Sequence, residues 1–161
     1  KAIDSTIEYK IKQATYYNYL FSNYKDYIKT PMIQKGKMHN HYWVYGIVLN
    51  ENHNRENIMQ SLYTAGIETR PFFWPLHNQE AYKSSFKKRY NLPNSEYLGN
   101  KGFYIPLGKH LNKRKQNDFF WLVTYYTIVR HAIFCVTIFC RYRNFITLTN
   151  KGFQRRGTNG I

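Results

Sequence analysis

The chain has 161 residues, sixteen Tyr, eleven Phe, and 24 Lys plus Arg against nine Asp plus Glu, for a formal net charge of +15. That length suffices for one domain with a core and is short for two. A strongly basic balance makes nucleic acid or an anionic membrane surface the generic partner, but no helix-turn-helix, zinc-finger or RNP-type pattern accompanies the charge, which argues against nucleic acid.

All nine acidic residues lie at or before Asp118, so the last forty-three residues carry uncompensated basic charge. The chain starts at Lys1 without a Met, so this residue is not expected to be a natural start. Residues 1–19 lack a continuous apolar stretch, so no signal peptide is expected. Cys135 and Cys140, with four residues between them, form neither a disulfide framework nor a zinc spacing, which favours a reduced cytoplasmic setting.

In chain order, Ile3, Ile7, Ile11, Ala14, Tyr17 and Phe21 recur at three- and four-residue steps and predict an amphipathic helix from Ile3 to about Ile28. Pro31 and Gly36 break the pattern. His41–Leu49, rich in β-branched and aromatic residues, predicts a mostly buried strand. Asn54 is placed to cap a helix reaching Ala65, with Gly66 just past its end. Pro71 biases Arg70 towards extended backbone, and residues 72–78 read as an irregular loop around Pro75. A short helix over Pro93–Asn100 and a strand over Gly102–Pro106 complete the pattern. The sum predicts an α+β fold with helices on one face of a small sheet.

The character changes further on, and the chain divides into a domain over 1–118 and an atypical tail over 119–161. Phe119–Cys140 is almost wholly aromatic, β-branched or Cys, long enough to span a bilayer. Arg130 would then lie near the bilayer centre at a cost of roughly 2.5–3.5 kcal/mol. Out-of-frame translation or a degenerate gene end fits the missing acids and unpatterned aromatics better; an ordinary β-rich terminus is the third reading.

Three motifs carry a specific resemblance. Gly66-Ile67-Glu68-Thr69-Arg70 leads into Pro75-Leu76-His77-Asn78-Gln79-Glu80-Ala81-Tyr82, after the His41–Leu49 strand and before Leu92–Leu98 and Gly102–Gly108. In this order and spacing they resemble the DegT/DnrJ/StrS-type sugar-nucleotide aminotransferases, with a likeness to perosamine-synthase-like members, over about residues 1–118. The resemblance implies the small C-terminal domain of a fold type I enzyme dependent on pyridoxal 5'-phosphate. Such an enzyme transfers an amino group, usually from glutamate, to a keto group on a nucleotide-linked sugar, and works as a homodimer. Amino sugars of this kind serve surface polysaccharides such as O-antigen.

Nothing in the sequence resembles the family's Schiff-base lysine motif. The lysine is expected upstream of Lys1, and the chain alone is expected to be inactive. The resemblance makes Arg70, His77, Trp74 and Phe73 the candidate substrate-binding residues. Arg70 offers a planar fork of donors to an anionic oxygen, His77 a ring N–H, and Trp74 and Phe73 an apolar or stacking wall. Without a ligand role, Arg70 would pair with Glu68 or a carbonyl, His77 would be a packing residue, and Tyr82 would anchor the loop.

Two other constellations are weaker. His39 and His41 alternate on a strand-like segment but lack a convincing third metal ligand, so a surface pair is the better reading. Gly99–Gly102 is too short for a phosphate-binding loop.

Overall fold

The computed structural model describes residues 2–50, 52–83 and 90–129. Helix α1 (Ala2–Leu20) is followed by β1 (Ile28–Lys29), the hairpin β2 (Gln34–Lys35) and β3 (Met38–His39), β4 (Tyr45–Leu49) and α2 (Arg55–Thr64). Then come β5 (Arg70–Pro71), a 3₁₀ turn over Leu76–Asn78, α3 (Glu80–Lys83), α4 (Pro93–Lys101), β6 (Gly102–Ile105) and α5 (Lys113–Thr124). A π-helical turn, Tyr125–Val129, continues α5. The α+β class expected from the sequence is the one observed.

The main sheet has the order β1-β4-β6-β5, and every pairing is antiparallel. Strand alternation gives it two unlike faces. Tyr45, Ile47 and Leu49 of β4 and Phe103 and Ile105 of β6 turn inward and are buried. They form one core with Ala14, Tyr17 and Phe21 of α1, Ile58 and Leu62 of α2, and Phe120, Leu122 and Val123 of α5. Register places Gly46 opposite Tyr104 and Val48 opposite Gly102, so these four share the other face.

Several expectations need correction at their edges. Helix α1 stops at Leu20 rather than near Ile28: turns follow at Ser22-Asn23, whose short polar side chains compete for backbone hydrogen bonds. Ile28 instead pairs with Leu49 in the sheet. Ile3, at the expected apolar edge, is 70% exposed. The strand expected from His41 starts at Tyr45, because Tyr42 takes φ 50°, a left-handed conformation incompatible with an extended run. That bend is held by Tyr42 N–H donating to Asn40 Oδ1 at 2.8 Å, and Asn18 links the Tyr42 and Tyr45 hydroxyls. By contrast, α2 is capped as read: Asn54 accepts from Asn57 N–H at 2.9 Å, and Gly66 follows the helix at φ 83°.

The boundary placed after residue 118 falls inside α5, a continuous helix. Phe120, Leu122, Val123 and Thr127 beyond it are buried, and His53 Nε2 lies 2.8 Å from the Thr127 carbonyl. Phe119, Phe120, Leu122, Val123 and Tyr126 thus pack with the domain. No helix among the described residues is long and apolar enough to cross a membrane. The readings made for residues 130–161, including Cys135 and Cys140, lie outside the described residues.

Candidate functional site

The signature segment runs across the face of the sheet opposite the core. Arg70 pairs with Tyr104 in register, so Arg70, Tyr104 and Gly46 form a row on that face. Two residues on, Phe72 lies against the same face, its ring stacked on Tyr104 at 4.6 Å between centroids. A Cβ at Gly46 or Gly102 would fall inside the space taken by the Phe72 ring. The two glycines are therefore the bed on which the loop rests, and Phe72 N–H fixes the crossing by donating to Gly102 O at 3.0 Å.

Helix α4 holds the far side of the loop. Glu96 and Gly99, three residues apart, face the same way. Pro75 packs where a Cβ of Gly99 would stand, and His77 Nε2 meets Glu96 Oε1 at 3.0 Å. The C-terminal end of α4 is tied to α2 and to the segment before it. The Arg55 guanidinium donates to Gly99 O and Gly102 O, and Lys101 Nζ donates to His53 O at 2.9 Å.

With its backbone fixed in this way, the loop holds its large rings outward. Phe73 is 76% exposed and touches Tyr104 edge-on at 6.3 Å. Trp74 is 46% exposed; its indole N–H donates to Asn78 O at 3.3 Å, and its carbonyl accepts from Gln79 Nε2. An open cleft of about 560 Å³ is lined by Trp74, Asn78, Gln79 and Glu80. Apolar rings left in water forgo burial worth roughly 25 cal/mol per Å², and Phe73 and Trp74 are two such rings side by side in the loop.

The four candidate residues meet different fates. Phe73 and Arg70 converge on Tyr104, and Trp74 stands beside them in the loop. Arg70 is in the open, its Nη2 3.1 Å from Glu68 Oε1 with both side chains largely exposed, the local pair foreseen as its alternative. The His77 side chain is 9% exposed, and its Nε2 lies 3.0 Å from Glu96 Oε1. Sequence reasoning missed Tyr104, Phe72 and Glu96. The alternation of Gly102-Phe103-Tyr104-Ile105 contained the first, since inward Phe103 and Ile105 force Tyr104 outward. The Phe72 bed joins residues far apart in the chain, and no local pattern reports it. His39 sits in β3 opposite Gln34 and is exposed. Among the described residues no group of three or more metal-ligating side chains comes together.

Comparison with known proteins bears on the same region. The profile of the DegT/DnrJ/EryC1/StrS aminotransferase family matches residues 1–121. The GDP-perosamine synthase of Escherichia coli O157:H7 is 34% identical over 65 residues, which cover 40% of this chain and 17% of that protein. Among solved structures, the aminotransferase TlmJ from Streptoalloteichus hindustanus superposes with a TM-score of 0.69 at 19% identity, over 80% of this chain and 34% of that one. Helicobacter pylori PseC, an aminotransferase involved in the biosynthesis of pseudoaminic acid, gives 0.67 at 19% identity, over 77% and 33%. The chain thus spans about a third of the length of these structures. Profile, order of motifs and fold agree that the chain belongs to the DegT/DnrJ/EryC1/StrS aminotransferase family.

Proposed function

We propose that this chain is the small-domain portion of a pyridoxal-phosphate-dependent aminotransferase that moves an amino group from glutamate to a keto group on a nucleotide-linked sugar. The observation that carries the reading is the family match over residues 1–121 combined with a signature loop clamped at its backbone and exposed at its rings. In a homodimeric parent enzyme of the cytoplasm, the product would feed the synthesis of surface glycans such as O-antigen.

Pyridoxal phosphate supplies an electron sink when held through a lysine. A Schiff-base lysine needs a sheltered ammonium beside the cofactor ring. Among the described side chains the lysines are exposed, apart from Lys10 and Lys101. Those two donate to the carbonyls of Trp43 and His53 at 2.8 and 2.9 Å. Among the described residues none of these lysines fits the cofactor's anchor, and the part we assign to this chain is binding and orientation.

Arg70, with its side chain 79% exposed, presents a guanidinium fork that an anionic phosphate oxygen can take over from Glu68. Phe73 and Trp74 form the apolar wall that a sugar or base would cover. His77, through Glu96, positions that wall. Alone, residues 1–161 with pyridoxal phosphate should give no specific borohydride-trappable lysine adduct, and no transamination.

The test is a chimera in which residues 1–121 replace the matching segment of the Escherichia coli O157:H7 GDP-perosamine synthase. Retained transfer from glutamate to a nucleotide-linked keto sugar is expected. Arg70→Ala in that chimera should raise the KM for the sugar nucleotide while leaving its melting temperature unchanged. A folded, cofactor-loaded chimera without turnover would overturn the reading.

A further inference from the structure

Helix α5 opens with Lys113-Arg114-Lys115 and has no acidic residue in its first turn. The N-terminal end of a helix already carries partial positive charge, so three consecutive cations there oppose the helix dipole. Only the Asn112 side chain, accepting from Lys115 N–H at 3.0 Å, meets the preference of that end. Lys109 and His110, just before it, are also exposed.

Helix α1 runs alongside in the same direction. Gln116 Nε2 donates to Gln13 O at 2.9 Å, Tyr16 O–H to Asn117 Oδ1 at 3.0 Å, and Phe21 meets Phe120 edge-on at 5.2 Å. Lys12 and Tyr19, seven residues apart, share the outward side of α1; Arg114 and Trp121, also seven apart, share that of α5. The start of α5 and its approach are basic, with exposed Lys109, Lys113, Arg114 and Lys115, the last donating from Nζ to His110 O at 3.2 Å, and Lys12 is exposed on α1. The joint face is aromatic further along, with Tyr19 72% and Trp121 46% exposed. Asp4, Glu8 and Asp118 are the acids of the two helices, so the five cations named outnumber them.

We infer that the outward face of the α1–α5 pair is a peripheral docking surface for an anionic lipid membrane. Lysine and arginine attract phosphate headgroups, and amphipathic Trp and Tyr rings settle at the boundary between headgroup and acyl chain. Single-stranded nucleic acid, the other polyanion, needs open ring faces among the cations for bases to stack on. Tyr16, the ring beside Lys113, is instead flanked by the Lys113 ammonium at 5.4 Å and the Tyr19 ring at 6.4 Å.

The test is flotation of the full 161-residue chain with vesicles of phosphatidylcholine alone and of phosphatidylcholine with about a third phosphatidylglycerol. Binding is expected to the anionic vesicles only, with release near 0.5 M salt, where the Debye length falls to about 4 Å. Replacing Lys113, Arg114 and Lys115 by Glu should weaken binding at least about a hundredfold. The same change at Lys25, Lys35 and Lys37, away from this face, should leave it intact. Circular dichroism checks folding, and if the Glu set unfolds, Lys113→Gln, Arg114→Gln and Lys115→Gln are read in its place, with a smaller loss in the same direction. The proposal is overturned by equal binding to neutral vesicles, by no binding from a folded chain, by equal loss in both variant sets, or by salt-sensitive binding to RNA without binding to vesicles.

Discussion

The two faces of the main sheet are built by opposite rules. On the inner face, bulky residues from both central strands, Tyr45, Ile47, Leu49, Phe103 and Ile105, meet three helices, and their exposure is almost nil. On the outer face, glycines occupy two of the four central positions, and the ring that fills the space, Phe72, arrives from a loop. The inner face stabilises the fold by burying its own side chains. The outer face gives up side chains so that a loop can be seated at a fixed height, carrying Phe73 and Trp74 into solvent. Hydrophobic burial is non-directional, whereas seating a loop needs a defined shape, and glycine supplies that shape.

This contrast predicts unequal responses to substitution. The largest is expected for Phe103→Ala: the side chain is fully buried between β4 and the helices, so its loss should cost about 3–5 kcal/mol in denaturant unfolding. A cost below that of a surface change would mean that the inner face is not the stabilising one.

Next comes the reverse manipulation on the outer face. Gly46→Ala pushes a methyl group into Phe72 and should cost about 1–3 kcal/mol by overpacking. Phe72→Leu in the same chain should recover most of this, because the only close contacts of the new Cβ are with the Phe72 ring. For Gly102→Ala the recovery should be partial, since there the Cβ also crowds the Leu98 carbonyl, which is backbone and cannot be trimmed. Equal recovery at both positions would argue against the Phe72 bed.

The same contrast explains what the chain disclosed before its structure was known. Helix α2 was legible because its signals are local: Asn54 as cap, Ile58 and Leu62 at helical spacing, Gly66 as terminator. Strand β6 was legible from its flanking glycine and proline. The start of β4 was hidden by the left-handed Tyr42, which depends on Asn40 and Asn18 rather than on its neighbours' propensities. The domain limit rested on the absence of acids after Asp118, a compositional signal, whereas Phe120 and Val123 enter the core by helical period. Within the candidate site, the motif located Arg70, Phe73, Trp74 and His77, but their division of labour was not local. His77 is distinguished from Trp74 by Glu96, nineteen residues away.

That division yields a smaller prediction. His77→Ala and Glu96→Gln should each cost about 1 kcal/mol or less in global stability, the scale of one partly exposed polar contact. Both should speed proteolytic cleavage or amide exchange in residues 72–80, and the double variant should add little to either single one. Additive effects would show that the two side chains do not act through each other, and that His77 is available for a ligand.

The smallest effect concerns the only carboxylate of α5. Partial burial pushes the Asp118 carboxyl above its ordinary range, against the opposing pull of Arg114. An acid whose pKa is raised by folding binds its proton more tightly in the native state, so the native state loses stability as pH rises through the ordinary carboxylate range, about 3.9 for Asp. Above the raised value the penalty is constant. Asp118→Asn should therefore match the parent chain's melting temperature near pH 3, where both forms are neutral, and exceed it slightly at pH 7. The sign can be pressed further with Arg114→Gln, which removes the favourable charge and leaves burial unopposed, so that Asp118→Asn should then stabilise by more. If the gain shrinks in that background, attraction rather than burial governs the carboxylate, and the outward side of α5 is electrostatically closer to neutral than a lipid-facing surface requires.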